Sequence, residues 1–215
     1  DPNYRVAYIS LGFSYLDEIW FRITKSPDKS IEKAEQAAKK CTALAPDQSP
    51  PYGLLSNISL MKNDFDNAIL LGEKAVQDNP NESGYYLSLG LALRSAGRYE
   101  EANVILETAL RLNPLRPLPY VNNLAWSCLG NRQYDKAILL WAESLERNPN
   151  YLFAFMGLTA AYELTGNKEK SRSAVENLLR VNPKFSIAIE EKMFPIKDEA
   201  FKKRLLDAYR SAGLN

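Results

Sequence analysis

Side chains able to do covalent or metal chemistry are few in this chain. Its 215 residues include no histidine and two cysteines, Cys41 and Cys128. Without histidine, the commonest general base at neutral pH and the commonest zinc-binding nitrogen are both missing. Each cysteine reads as a small buried hydrophobe. No CxxC, HExxH or GxSxG occurs. Gly90 and Gly97 belong to helix packing and a turn, so they form no phosphate-cradling loop. The carboxylate pairs Glu100-Glu101 and Glu190-Glu191 fit solvated helix surfaces. Asn57-Ile58-Ser59 and Asn81-Glu82-Ser83 match the glycosylation sequon, but the first falls in mid-helix. These residues predict no catalytic site, cofactor or metal, which leaves an enzyme or cofactor-binding domain as a remote alternative.

Lys and Arg number 27 against 26 for Asp and Glu, a net charge of +1. That balance argues against an extended phosphate-binding stripe, so no nucleic-acid partner is expected. No run of 18 apolar residues appears, and no membrane contact is expected of this region. The sequence opens Asp1-Pro2-Asn3-Tyr4, without an initiator Met or a charged-then-apolar leader. Residue 1 reads as a boundary or processing site within a longer protein. The expected compartment is the cytoplasm, with the periplasm left open because the upstream sequence is not in view.

What positions these residues is a repeat. Pro46, Pro80, Pro114, Pro149 and Pro183 follow one another at steps of 34, 34, 35 and 34 residues, four of them in Asn-Pro pairs. Between them the pattern recurs. Tyr86, Leu89, Gly90 and Leu93 share one helical face. Gly97 then breaks the helix, and Tyr99, Ala102, Leu106, Ala109 and Leu110 form a second apolar face. Proline ends that helix because it lacks an N–H and disfavours helical geometry in the residue before it. The unit is two antiparallel helices of about three turns each.

This unit resembles the tetratricopeptide repeat, whose signature is an aromatic, Leu-Gly, Tyr, Ala, an aromatic and Pro over 34 residues. Tyr8, Leu11, Gly12 and Tyr15 match its first helix. Tyr52, Leu55, Phe65, Ala68, Ala75 and Pro80 match the next unit, although Gly72 stands where a large residue is usual. Leu124, Ala125, Tyr134, Ala137, Trp141 and Pro149 match with one extra residue near Pro117. Phe155, Leu158, Tyr162, Gly166, Leu178 and Pro183 match with Ser171 in place of Ala. The resemblance implies an all-α, right-handed superhelix of about five hairpins. Its units are 3–46, 49–80, 83–114, 118–149 and 152–183, followed by capping helices over 184–215.

Two places break the rhythm. The first unit carries ten extra residues around LDEIWFRITKSPDKS; Tyr15 ends its recognisable first helix, Ser26-Pro27-Asp28 reads as a helix start, and 31–44 is the second helix. Trp20, Phe21 and Ile23 in this stretch belong either to a lengthened helix and loop packed on its own hairpin or to a partner-binding protrusion. After Pro183, residues 187–194 form a short helix stopped by Phe194-Pro195. Phe201, Leu205, Ala208 or Tyr209, and Ala212 then share one face of a last helix capped by Gly213. That helix is expected to cover the exposed last hairpin, with Lys202, Lys203 and Arg204 solvated.

This tail, with its Phe-Pro, following Asp and closing Arg-Ser-Ala-Gly-Leu, also resembles the end of certain bacterial signalling proteins. Their repeat arrays follow a class III adenylate or guanylate cyclase domain, or a winged-helix DNA-binding domain, and begin with a DPN-type segment and a long first unit. The resemblance implies a fused upstream domain and a regulatory role for this region.

By helical phase, Ile9, Phe13, Asn57, Leu87, Leu91, Arg94, Asn122, Trp126, Phe153, Met156 and Glu163 should line a concave inner face. Chaperone-binding relatives hold a terminal carboxylate there with Lys, Arg and Asn; here only Lys62 and Arg94 stand near Asn57 and Asn122. The mostly apolar lining predicts an amphipathic helix or apolar segment as partner. The alternatives are that these residues pack among themselves or against the chain's own capping helix, or that the chain self-associates. Trp126→Glu and Leu91→Glu are expected to abolish partner capture and to leave helicity unchanged.

Overall fold

In the computed structural model, which describes residues 4–215, the Asn-Pro pairs do what backbone chemistry requires. Asn79, Asn113, Asn148 and Asn182 each end a helix in extended geometry, with φ between −143° and −121° and ψ between 83° and 95°. A following proline selects that region. Asn also brings its own acceptor: the Oδ1 atoms of Asn79, Asn148 and Asn182 take the N–H two residues on at 3.0–3.3 Å, closing a tight turn. The Asp1-Pro2-Asn3 opening lies outside the described residues.

Twelve α-helices and no strands occur among the described residues. The chain divides into two compact units, with the boundary inside the fifth helix between Ala92 and Leu93. The first unit holds α1 (Arg5–Trp20), α2 (Pro27–Leu44), α3 (Tyr52–Met61), α4 (Phe65–Asp78) and the start of α5 (Ser83–Ser95). The second holds the end of α5, α6 (Tyr99–Leu112), α7 (Leu118–Gly130), α8 (Tyr134–Arg147), α9 (Leu152–Leu164), α10 (Lys168–Val181), α11 (Ile187–Met193) and α12 (Glu199–Ser211).

The hairpins share one turn. Asn63, Gly97, Arg132 and Gly166 sit at the same repeat position with φ of 58°, 83°, 59° and 75°. The next N–H in each reaches back to a carbonyl five residues earlier, as Arg98 does to Leu93 at 2.9 Å. This left-handed stop satisfies the carbonyls that a helix end leaves open. Gly97 and Gly166 adopt it freely, whereas Asn63 and Arg132 take it against a modest steric cost. In α4 and α10 the other end is fixed by Asp64 and Asn167, whose side chains accept from the N–H three residues on.

Small residues let the helices meet: Ala68, Ala75, Ala102, Ala109 and Ala137 are fully enclosed, and Ser171 takes the alanine place equally buried. Gly72 has a reason of its own. A Cβ there would stand 3.0 Å from Leu89 Cα, so no large residue fits at that point of the first unit.

The long first hairpin differs from the sequence expectation. Leu16 and Ile19 continue the apolar phase, so α1 runs on to Trp20 beyond Tyr15. Arg22, at φ 57°, then turns the chain. The loop is tied to its own hairpin, since Ser30 Oγ lies 2.8 Å from Glu18 Oε2 and 3.2 Å from Thr24 Oγ1. Phe21 and Ile23 remain exposed.

Candidate functional site on the second unit

The chain's last segment does not simply cover the end hairpin. It lies along the first helices of the second unit. Phe194 meets the Trp126 ring of α7 at a centroid distance of 5.8 Å. The Lys197 N–H donates to Ser95 O at the end of α5 at 2.8 Å. Asp198 caps α12 by accepting from Phe201 N at 3.0 Å and accepts from the Tyr99 hydroxyl at 3.2 Å. Phe201 stacks edge-on to Tyr99 at 5.5 Å, and Arg204 donates to Gly130 O at 3.3 Å. α12 also packs on α9. Gly130 leaves room for this arrangement, because a Cβ there would fall 2.3 Å from the Tyr99 ring. Arg204, expected to be solvated, is half-buried for this reason.

Beneath the segment stands an aromatic pair. Trp126 and Trp141 meet edge to face at 5.2 Å, and the Trp141 indole N–H donates to Asn122 Oδ1 at 3.1 Å. Trp126 is 2% exposed and Met156 fully buried. Trp126→Glu therefore does not leave the helices untouched, because it would place a carboxylate in a closed aromatic contact. Phe153 remains half-buried and stacks on Tyr151 at 5.7 Å.

Arg94 is the unusual charge. It is 7% exposed, its guanidinium Nε finds no acceptor, and among the described residues no carboxylate lies within ion-pair distance of it. Burial holds its pKa down to about 10, the nearby Tyr99 hydroxyl opposing only in part. Burial, then Asp198, push the Tyr99 hydroxyl well above its ordinary value. Ser95 Oγ and Trp126 Nε1 are likewise buried without partners.

A cleft of about 380 Å³ opens where α12 passes α9 and α10, lined by Glu163, Lys168, Lys203, Arg204, Asp207 and Ser211. Burial raises the Glu163 carboxyl, but the Lys168 ammonium bonded to it outweighs that and holds the group below the usual range. Lys168 pairs with Glu163 and reaches Ser211 Oγ at 3.0 Å.

The other expected lining residues belong to the first unit. Asn57 is buried, its amide donating to Gly53 O and Ser88 Oγ, each at 2.9 Å. Leu91 is buried, while Ile9, Phe13 and Leu87 are half-buried. Lys62 is engaged with Glu35 at 2.8 Å. The residues missed by sequence reasoning are Ser95, Tyr99 and Gly130 on the face and Phe194, Lys197, Asp198 and Arg204 on the segment.

Both cysteines are buried. Burial pushes the Cys128 thiol up to about 11. At pH 8 it should resist a thiol reagent in the folded chain and react once denatured; rapid native labelling would contradict this packing.

Comparison with known proteins places the fold. A family profile described as anaphase-promoting complex, cyclosome, subunit 3 matches residues 61–144. The transcriptional regulator HilA of Salmonella typhimurium is 28% identical over 190 residues, covering 84% of this chain and 34% of HilA. The chain thus spans about a third of the length of that relative. Among solved structures, TTC0263, a thermophilic TPR protein of Thermus thermophilus, superposes with a TM-score of 0.66 at 18% identity, over 96% of this chain and 99% of that one. YrrB, described as a TPR protein with an unusual peptide-binding site, superposes with a TM-score of 0.57 at 18% identity, over 86% and 89%. The chain has an all-helical solenoid fold like that of TPR proteins. No helix among the described residues is long and apolar enough to cross a membrane.

Proposed function

We propose that this chain is a non-catalytic protein-interaction module that takes up an amphipathic partner segment on the first-helix face of its second unit. The observation that carries this reading is that the face already holds such a segment, residues 194–204 of the same chain. Aromatic contacts, one main-chain hydrogen bond and the Tyr99–Asp198 and Arg204–Gly130 hydrogen bonds hold it there. The peptide-binding site named for YrrB supports the reading by analogy of fold. In this reading the region contacts neither nucleic acid nor membrane, binds no cofactor, and works in the cytoplasm.

The parent protein in this proposal is a larger bacterial regulator. The similarity to HilA favours a transcription regulator. A parent with an upstream nucleotide cyclase rests on the tail resemblance alone. A photo-crosslinking residue at Asn122 or Phe153 of the full-length protein should capture a second protein in its native cells. Crosslinks confined to the chain's own residues 194–211 would contradict the reading.

Self-association is a second reading with its own observation. Val104 on α6 and Leu139 on α8 occupy the same repeat position and are 64% and 70% exposed. Replacing both with Glu should reduce any self-associated species to monomer in light scattering; an unchanged mass distribution would exclude these residues from the contact.

A further inference from the structure

The C-terminal segment fills the face of the second unit without satisfying its polar floor. Arg94 Nε, Ser95 Oγ and Trp126 Nε1 are buried and unpaired among the described residues. Ser95 and Trp126 directly touch the segment, through Lys197 and Phe194. All three unpaired groups can donate. What the segment brings is mismatched: aromatic rings, a main-chain donor at Lys197 and the cation Arg204. Of its three carboxylates, Asp198 is taken by Tyr99 and by the N–H of Phe201, Asp207 accepts from Arg210 at 3.0 Å, and Glu199 is exposed. A buried donor without an acceptor is costly, and a buried cation without an anion more so. An occupant carrying acceptors in the right place would relieve both penalties.

We infer that residues 194–211 are a displaceable resident of this face, and that the partner replacing them is an amphipathic protein segment with an acidic side chain that pairs with Arg94. The inference rests on the interaction-module reading and sharpens it. The tail keeps the aromatic floor dry in the resting chain. The partner wins by supplying the missing acceptors, so the exchange selects acidic segments over merely apolar ones.

Two measurements on the whole chain test this. In native-state hydrogen exchange, the amides of α12 should open well before those of α7 and α9, by roughly tenfold or more in rate. Equal protection of all three helices would make the segment permanent core and overturn the inference. The second probe is a pair of fluorescein-labelled peptides. One is FPIKDEAFKKRLLDAYRS, the natural 194–211 sequence; the other carries Lys197→Glu, Lys202→Glu and Lys203→Glu. The acidic peptide should bind roughly tenfold more tightly, and Arg94→Leu or Arg94→Gln in the chain should erase that preference. Equal binding of the two peptides, or a preference that survives both Arg94 variants, would overturn the inference. If both Arg94 variants fail to fold, the exchange pattern and the wild-type preference still decide. A partner captured at Asn122 or Phe153 beside a locked α12 would leave the interaction module standing and remove this mechanism alone.

Discussion

Trp141→Ala is expected to destabilise the chain by about 3–5 kcal/mol, the usual cost of emptying a large aromatic site. Trp141 is 0% exposed, and its indole N–H is the donor to Asn122. The ring occupies a space that Gly157 keeps open, since a Cβ at that position would stand 2.2 Å from the indole. The cavity cannot close easily, because Gly157 has no side chain to swing into it. Asn122 and Trp126 lose their partner together. For a chain of this size the midpoint of thermal unfolding should fall by roughly 6–20 °C. A drop equivalent to less than about 1 kcal/mol would mean that the indole is not the buried centre of these hairpins.

Trp126→Glu should be of similar size, for an electrostatic reason. The new carboxylate would lie between the Trp141 and Phe194 rings, closed off from water. An unpaired buried charge costs roughly 3–5 kcal/mol. Burial would raise the carboxyl pKa in the folded state above its unfolded value of about 4.3. The folded chain then binds the extra proton, so stability falls as pH rises through the folded pKa. The variant should unfold more readily at pH 8 than at pH 5, by urea titration at the two values. A variant insensitive to pH, or as stable as the parent, would place position 126 at the surface.

The parts of this fold legible in the sequence are those written in local backbone chemistry. Asn-Pro fixes the end of a helix within two residues, and Gly97 and Gly166 mark turns that need positive φ. Gly213, at φ 89°, ends α12 in the same way, with Leu214 N reaching back to Tyr209 O at 3.1 Å. The path of the tail is a different kind of fact. The stripe of Phe201, Leu205 and Tyr209 says that α12 buries one face, but not against what. Tyr99 reads as one more hairpin aromatic, yet its partner Asp198 lies 99 residues away. Arg204 reads as part of a solvated Lys-Lys-Arg run, and its acceptor at Gly130 is 74 residues distant. Such contacts depend on which surfaces the stacked hairpins leave open, and no local pattern records that.

The same distinction explains the candidate face. Helical phase brought Arg94, Asn122 and Trp126 to the first helices of the second unit. Phase could not tell that Trp126 would be closed over by Phe194, or that Arg94 would be desolvated without a carboxylate. In the first unit, Asn57 has the right phase but spends its amide on Gly53 and Ser88.

The C-terminal segment lies against the first-helix face of the second unit. Isotope-edited NOESY spectra of the intact chain test this most directly. Cross-peaks between the Trp126 and Phe194 rings and between Tyr99 and Phe201 are predicted. Their absence from a chain whose Trp126–Trp141 cross-peaks are present would contradict it.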